Sequence, residues 1–449
     1  MIAMTTLSSR PHAEVKQVQD ANDDHKAAAA TFAPQFTPQR SHYDIAIVGA
    51  GIVGLATARE LLLRKPGLRL IVVEKDAAIA SQQSGHNSGV LHTGIYYAPG
   101  SLKAQACVEG HRRMLRFCEE NGIAYELCGK LIVALNEDEL PRLDELYRRG
   151  IANGVEGLEL VGPERLREIE PYAAGIKAIF SPNTGIVDYV SVAHKYARSV
   201  QERGGEIVVE HRVTSITQRG DSAVLGVRRT SGEGAGSEIA ATHVITCAGL
   251  QSDQVSAFGH GKRDVRIVPF RGDYYKLRPE KRSLVRALIY PVPDPRFPFL
   301  GVHFTRRLDG EIWAGPNAVL AFAREGYGRW DIAPGDLWDA LGYRGFWKMA
   351  AKYWRTGFEE MYRDYSKRAY VKELQRYLPA VRAGDLLTGP SGVRAQAVAP
   401  DGRLVDDFLI RHDERTIHVQ NAPSPAATSS LMIASMIADQ AGSLFDLDA

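Results

Sequence analysis

The chain has 449 residues, more than one hydrophobic core normally organises, so we expect two domains. The 55 Lys and Arg residues against 53 Asp and Glu residues leave a net charge of only +2, which argues against a nucleic-acid-binding surface spread over the protein. Hydrophobic residues make up 45% of the chain, within the globular range, and no apolar run reaches the roughly 18 residues that a membrane-spanning helix needs.

The cysteine pattern and the first 42 residues indicate the cellular environment. Cys107, Cys118, Cys128 and Cys247 form neither a C-x-x-C pair nor a cluster with histidine, so we expect no disulfide framework, no metal site and a reducing compartment. Residues 1–42 contain acidic residues and lack the apolar segment of a signal peptide. We therefore expect a disordered extension there and a cytoplasmic location.

The first predicted elements form a βαβ unit. Tyr43 to Val48 predicts a short buried strand, which a glycine turn connects to a helix through about Arg64. Leu68 to Val73 predicts a second apolar strand, and Glu74 follows it directly. Two strands joined by one helix at this spacing are typical of a nucleotide-binding fold.

The turn carries the pattern G-x-G-x-x-G, in Gly49, Gly51 and Gly54. The first glycine permits the tight turn, the second lets the backbone approach a pyrophosphate, and the third allows close packing of helix and strand. Free N–H groups and the positive dipole at the helix N-terminus suit phosphates, and Glu74 can accept hydrogen bonds from a ribose diol. The pattern therefore predicts a dinucleotide site. We favour FAD over NAD because a single such unit occurs, close to the start of the predicted ordered chain.

Later elements indicate two interleaved domains. The Gly-rich stretch Ser84 to Gly94 predicts a loop, and a helical pattern follows from about Leu102 to Asn121. Short β-like pieces and charged helices then indicate a second domain. The predicted fold class is α/β, a Rossmann-like FAD-binding domain interleaved with an α+β substrate domain built on an antiparallel sheet. We assign residues 43–124, 186–262 and 385–449 to the FAD-binding domain and residues 125–185 and 263–384 to the substrate domain.

One long motif resembles a known family. The stretch Ser84-Gly-His-Asn-Ser-Gly-Val-Leu-His-Thr-Gly-Ile-Tyr-Tyr97, with Pro99, Gly100, Ser101 and Lys103 after it, closely resembles the L-2-hydroxyglutarate oxidase/dehydrogenase family. That family belongs to a wider group of flavoenzymes that includes D-amino-acid oxidase and glycerol-3-phosphate dehydrogenase. The resemblance covers most of the chain after about Tyr43, and it continues through Pro269–Tyr275, His303–Thr305, Gly315–Asn317, Gly392–Gln396 and Asn421–Ser430.

The resemblance implies a reaction that residue patterns alone do not identify. It implies oxidation of (S)-2-hydroxyglutarate to 2-oxoglutarate with reduction of bound FAD, followed by electron transfer to oxygen or a membrane quinone. The first alternative is a related flavin oxidase or dehydrogenase that acts on an amino acid, another 2-hydroxy acid or glycerol 3-phosphate. The second is a flavin-binding protein without turnover.

The predicted FAD contacts lie in seven places along the chain. These are the glycine turn, the end of the second strand, the Gly-rich loop, Val213, the strand-end region after Thr246, Gly392 and residues 424–427. In the last segment, small residues would let the final helix direct its N-terminus at the flavin, where negative charge develops on reduction. The predicted residues are Gly49, Gly51, Ile52, Val53, Gly54, Glu74, Lys75, Ser84, His86, Asn87, Ser88, Gly89, Val213, Ala248, Gly249, Gly392, Ser424, Pro425, Ala426 and Ala427.

Two histidines are candidates for the catalytic base. Oxidising a secondary alcohol requires a hydride to leave carbon for the flavin while a base takes the hydroxyl proton, and imidazole suits that task near neutral pH. His303 lies in a predicted strand of the substrate domain, and His92 lies in the Gly-rich loop. We favour His303 over His92.

A substrate with two carboxylates requires cationic or donor-rich groups at both ends. Arginine binds a carboxylate in a fixed bidentate geometry, and Arg394 and Arg271 are the candidates. Arg394 follows Gly392 in a motif that resembles the place where related amino-acid oxidases hold the substrate carboxylate. Tyr274, Thr305 and Tyr96 can supply hydroxyl groups to the substrate, with packing as the alternative role of the tyrosines.

Residues 344–370 combine aromatic and basic side chains at helical spacing. Lys348, Lys352 and Arg355 alternate with aromatic residues between Phe346 and Phe358. Such a helix can lie on an anionic membrane, which would make the protein peripheral on the inner membrane face. The other interpretation is an amphipathic helix that packs its aromatic face on the substrate domain.

Overall fold

The computed structural model describes residues 34–232, 236–294 and 300–447. The strands, numbered in chain order, are β1 His42–Val48, β2 Leu70–Val73, β3 Val90–Leu91, β4 Tyr125–Glu126, β5 Lys130–Ala134, β6 Glu159–Val161, β7 Lys177–Ser181, β8 Gly185–Val187, β9 Glu206–Val208, β10 His211–Arg219, β11 Ser222–Arg229, β12 Ser237–Thr246, β13 Arg266–Leu277, β14 Leu288–Pro291, β15 His303–Arg306, β16 Ile312–Gly315, β17 Val319–Leu320, β18 Leu386–Val398, β19 Leu409–His412 and β20 Thr416–Asn421.

The α-helices connect these strands or cover the sheets. They are α1 Ile52–Arg64, α2 Leu102–Glu120, α3 Leu140–Ala152, α4 Pro163–Ile169, α5 Tyr189–Glu202, α6 Ser252–His260, α7 Pro334–Leu341, α8 Arg344–Tyr365, α9 Lys367–Tyr377 and α10 Ser430–Leu444. Within the described ranges, no helix combines the length and the apolar composition needed to cross a bilayer.

The first sheet has a parallel centre with apolar layers on both faces. Its order is β10-β11-β12-β1-β2-β9, and β20 pairs with β12. β1 runs parallel to both β2 and β12, which confirms the predicted βαβ unit. Helices α1, α5 and α10 contribute to the apolar cluster on one face, whereas β10, β11 and α6 contribute to the cluster on the other. Because both faces of the sheet are buried, its central strands consist almost entirely of apolar residues.

The second sheet is mostly antiparallel. Its order is β17-β13-β16-β15-β14-β5-β7-β6, with β18 paired to β13. Only the β14–β5 contact is parallel among the pairings of the described strands in this sheet. A third, small sheet has the order β3-β8-β4. The predicted fold class is therefore confirmed.

Two predicted boundaries differ from the structure. Residues 386–398 form β18, which pairs with β13 along nearly its whole length, so they belong to the second sheet and not to the FAD-binding domain. The expected disordered extension does not include residues 34–42, because Gln35 pairs with the exposed edge of β9 next to Val208 and β1 begins at His42. The rest of that predicted extension, residues 1–33, lies outside the described residues.

A buried ionic cluster joins α6 to α7. Arg324, only 1% exposed, binds Asp253 of α6 at 2.5 and 3.0 Å and Asp339 of α7 at 2.7 Å. It also donates to the carbonyl oxygen of Leu250. The guanidinium is thus surrounded by acceptors from α6, from α7 and from the segment before α6.

We predict that Arg324→Met lowers the free energy of unfolding by about 3 kcal/mol, because it leaves buried Asp253 without its main partner. The control is Arg219→Met, which breaks an exposed ion pair with Glu238 and should cost less than about 1 kcal/mol. Urea denaturation followed by circular dichroism measures both changes. Equal effects of the two substitutions would contradict the structural role given to Arg324.

Candidate functional site

The glycine turn between β1 and α1 allows unusually close backbone contacts. Gly49 has φ +105°, and a Cβ on it would lie 2.5 Å from the Cys247 carbonyl oxygen. A Cβ on Gly54 would lie 2.0 Å from the Gly49 carbonyl oxygen. Gly51 caps α1 and, as a glycine, offers no side-chain acceptor of its own to the first-turn amides. The turn therefore presents amide groups and a positive helix end next to open backbone.

Glu74 lies directly beside this turn. Its carboxylate accepts hydrogen bonds from the amides of Ala50 at 2.7 Å and Asp76 at 2.9 Å, and burial raises its pKa. These two bonds fix the orientation of an acceptor next to the turn, as a ribose diol requires. Lys75, also predicted to bind the cofactor, has its amine paired with Asp76 and Glu325.

The strand-end region after Thr246 reaches the same turn. The amide of Cys247 donates to Val48, and Ala248 packs on the apolar cluster that contains Val48 and Val213. Gly249 follows with φ +51°. The structure therefore brings Val213 and residues 247–249, which are distant in sequence, close to the end of β1 where the glycine turn begins.

The Gly-rich loop is held in place by its own polar groups and by β18. Ser84 accepts a hydrogen bond from the amide of Ile52 at 2.9 Å, while Asn87 bonds within the loop to Ser84 and Gly89. His86 lies 3.1 Å from the Ser391 carbonyl oxygen through Nδ1. A Cβ on Gly392 would lie 2.6 Å from the backbone oxygen of His86. The loop and β18 are thus in direct backbone contact.

The segment before α10 is also close to this loop. Residues 424–427 form a turn in which the amide of Ala426 donates to Pro423, and Ser429 caps α10 without a side-chain hydrogen bond. Thr428 accepts from the amide of His92 at 3.2 Å. The helix end therefore lies next to the loop that carries His92.

His303, at the start of β15, has the geometry of a neutral base. Its Nδ1 lies 2.9 Å from the carbonyl oxygen of Gly301, and a carbonyl can only accept, so Nδ1 carries the proton and Nε2 keeps its lone pair. Burial lowers the pKa of His303 to about 3. The imidazole is therefore neutral at physiological pH and able to take a proton.

His92 lies in the same region. Burial is the main cause that lowers its pKa, and the charges of Lys130 and His303 add to it. Its Nδ1 is buried and has no hydrogen-bond partner among the described residues. The structure brings the two candidate bases together, and the choice of His303 remains a prediction.

Lys130 and Tyr290 complete the pocket, and the sequence analysis did not identify either. Lys130 is 1% exposed, and its Nζ lies 4.8 Å from the ring centre of Tyr96 and 4.6 Å from that of Tyr290. The rings of Tyr290 and His303 are 4.0 Å apart. The available signal was a lysine that begins the otherwise apolar run of β5, all five residues of which are buried.

The predicted carboxylate-binding residues have different surroundings. Arg394, on β18, is close enough to Tyr274 for its charge to lower the pKa of that tyrosine, although burial raises this pKa more. Arg271 is buried and bound to Asp273 at 2.8 Å, with Asp364 at 3.6 Å. The positive charge of Arg271 is therefore compensated by two carboxylates inside the protein. Thr305 is fully buried on β15.

These features fit a dinucleotide with a polar ring system. The glycine turn leaves no room for side chains, and Glu74 provides acceptors beside it. At the other end, the His92 Nδ1, the Tyr96 hydroxyl and the Ser429 Oγ are buried and unpartnered among the described residues. Because buried polar atoms normally have partners, these three atoms are available to a bound molecule.

Comparisons with known proteins agree with this geometry. Residues 44–440 match the family described as FAD dependent oxidoreductase. L-2-hydroxyglutarate dehydrogenase, mitochondrial, of Nematostella vectensis is 52% identical over 418 residues, which cover 90% of this chain and 92% of that protein. The protein of the same name in Homo sapiens is 49% identical over 421 residues, 91% of this chain and 90% of that protein. The word mitochondrial in these names gives no support to the expected cytoplasmic location.

A solved structure shows the same fold. The dithionite-reduced L-alpha-glycerophosphate oxidase from Mycoplasma pneumoniae, with FAD bound, superimposes with a TM-score of 0.71 at 23% identity. The match covers 88% of this chain and 94% of that one.

We predict that Gly54→Val abolishes FAD binding, because a side chain there collides with the Gly49 carbonyl oxygen and forces α1 away from the turn. Gly335→Ala is the control, since a Cβ at Gly335 meets no atom within 4 Å. The ratio of flavin to protein absorbance after purification measures occupancy. Full flavin content in Gly54→Val would contradict the close-packing role.

Proposed function

This chain belongs to the FAD-dependent oxidoreductase family, in the group of the L-2-hydroxyglutarate dehydrogenases, and we propose that it oxidises L-2-hydroxyglutarate to 2-oxoglutarate. FAD is its cofactor and a CH–OH group is the site of its oxidation chemistry. The observation that carries the proposal is a buried cluster of side chains, the pocket around His303, in which two neutral imidazoles lie near Lys130 and one of them, His303, lies near Arg394. Such a pocket suits an anionic hydroxy acid that must lose a proton.

The proton is the part of the reaction that this chain handles itself. His303 accepts the hydroxyl proton at Nε2, while its Nδ1–H stays bonded to Gly301 and keeps the ring oriented. Bound FAD supplies the acceptor for the hydride that leaves C2. Loss of one proton and one hydride converts the alcohol to the ketone.

Orientation of the substrate depends on the cation and hydroxyl groups around His303. Arg394 binds the carboxylate next to the reacting carbon in a bidentate geometry. Tyr274 is close to Arg394, and burial raises its pKa, so its hydroxyl stays protonated and can donate. Thr305 and Tyr96 offer further hydroxyls on either side. The pocket thus fixes C2 with respect to the base.

The test of this function is anaerobic mixing of the purified protein with each enantiomer of 2-hydroxyglutarate. Bleaching of the oxidised flavin by the L form alone is expected. No bleaching by either enantiomer, despite bound flavin, would refute the substrate and favour the amino-acid, other hydroxy-acid or glycerol-phosphate alternatives. Readmitting air afterwards measures whether oxygen accepts the electrons.

We predict that His303→Ala lowers kcat/KM by roughly a hundredfold to ten-thousandfold, as loss of a general base normally does. FAD content should stay normal. His243→Ala is the control, because His243 stacks on Phe445 in the other domain and should not affect turnover. Stopped-flow flavin reduction measures both variants. Near-normal reduction in His303→Ala would transfer the role of base to His92.

For the electron acceptor, we propose a membrane quinone, reached through α8, in preference to oxygen. Phe346 and Met349 of this helix are buried, whereas Trp347, Trp354 and Phe358 are 59%, 54% and 66% exposed. The predicted packing of the aromatic face is therefore only partial. Lys348, Lys352 and Arg355 provide positive charge along the same helix. Exposed aromatic residues among cations suit peripheral contact with an anionic membrane.

The double substitution Trp354→Ser with Phe358→Ser should weaken binding to vesicles of phosphatidylcholine and phosphatidylglycerol by roughly tenfold or more, because it removes two large apolar side chains from the contact. Ile151→Ser with Leu160→Ser is the control, since those side chains are exposed on other elements. Sedimentation with vesicles gives the bound fraction. Equal binding by both double variants would rule out docking through α8.

A further inference from the structure

Lys130 is a buried lysine with no anionic partner among the residues that the structure describes. Its amine has no hydrogen bond or ion pair to any residue in the described ranges, and its contacts there are the rings of Tyr96 and Tyr290. A buried ammonium without an acceptor is costly, so proteins normally pair it. Aromatic faces hold the ammonium by cation–π attraction, yet they leave its charge uncompensated. No described residue compensates this charge, so the site around Lys130 can accept an anion.

The groups that surround Lys130 do not supply that charge. Cys107 on α2 and Cys128 before β5 are its nearest acidic groups, and burial raises the pKa of each thiol to about 12. Burial also raises the pKa values of Tyr96 and Tyr290. All four groups are neutral near pH 7, so none of them compensates the charge that Lys130 carries when it is protonated.

Arg394, the second cation of the pocket, lies near the imidazole of His303. The charges of Arg394 and of Lys130 both lower the pKa of His303, after burial as the largest cause. Glu360 is the acidic neighbour of Arg394, and burial raises the pKa of that carboxyl. Two cations from different strands, β5 and β18, thus lie around the proposed base.

We propose that Lys130 binds the second, distal carboxylate of a 2-hydroxy dicarboxylate while Arg394 binds the carboxylate beside the reacting carbon. This inference rests on the proposed function and specifies which residue makes the site selective for diacids. Arg271, predicted for such a role, is already neutralised by Asp273 and Asp364. Lys130 is free of such pairs within the described ranges.

Selectivity follows from the cost of an unpaired cation. A dicarboxylate gives Lys130 a charge-assisted hydrogen bond, whereas a monocarboxylate of the same length leaves the ammonium buried against a methyl group. A binding site strongly disfavours a substrate analogue that leaves one of the site's buried polar groups without a partner. Lys130 thus discriminates between the two substrates without touching the reacting carbon.

The experiment compares anaerobic flavin reduction by L-2-hydroxyglutarate and by L-2-hydroxypentanoate, which has a methyl group in place of the distal carboxylate. In Lys130→Met, kcat/KM for the dicarboxylate should fall roughly tenfold to a hundredfold through KM, with little change for the monocarboxylate. Lys276→Met is the matched control, since Lys276 also lies over an aromatic ring, that of Trp313, but is paired with Glu311. It should keep the wild-type ratio of the two substrates.

A second measurement uses the wild type and does not depend on the folding of a variant. Burial lowers the pKa of Lys130 to about 7, so the free enzyme loses this positive charge as pH rises through about 7. Affinity for the dicarboxylate should weaken over that interval, while affinity for the monocarboxylate should not. His303, with a pKa of about 3, and the two thiols, with pKa values of about 12, do not titrate there.

The outcomes separate this inference from the proposed function. If L-2-hydroxyglutarate fails to bleach the wild-type flavin, the proposed function fails. If it bleaches the wild type but Lys130→Met keeps the wild-type substrate ratio, or loses activity equally on both substrates with normal FAD content, the role of Lys130 alone is refuted.

Discussion

Gly49 and Gly54 bring three pieces of backbone together at the end of β1, closer than any side chain would allow. The turn, the start of α1 and the strand end at Cys247 meet there. They lie so close together that a Cβ added to either glycine would collide with the neighbouring backbone. Glu74 bonds to the same turn, and Ser84 connects it to the Gly-rich loop. That loop in turn contacts β18 of the second sheet through His86 and Gly392. The geometry of the whole pocket therefore depends on the absence of side chains at this turn.

The electrostatics of the pocket follow from the burial of its titratable groups. Burial lowers the pKa of His303 and so keeps the imidazole neutral, which a base for an alcohol requires. The same burial makes the cations Lys130 and Arg394 effective, because low dielectric strengthens their attraction for a carboxylate. One structural cause thus supports both proton removal and substrate binding.

The sequence could predict features whose geometry is local. Gly49, Gly54 and Glu74 were predictable because their spacing within one βαβ unit determines where they lie. The pocket around Lys130 was not, because the rings of Tyr96 and Tyr290 reach it from separate strands and loops. For the same reason the contact of Arg271 with Asp364 could not be predicted, because Asp364 lies far along the chain, whereas Asp273 is only two residues away. The position of β18 required knowledge of strand pairing, which a run of apolar residues does not specify.

In the proposed reaction, the hydrogen on C2 of L-2-hydroxyglutarate leaves as a hydride while His303 takes the hydroxyl proton. The test is single-turnover flavin reduction with saturating L-2-hydroxyglutarate, either unlabelled or carrying deuterium at C2. The deuterated substrate should reduce the flavin several times more slowly, because the C2–H bond breaks in the measured step. Equal rates for the two substrates would contradict it.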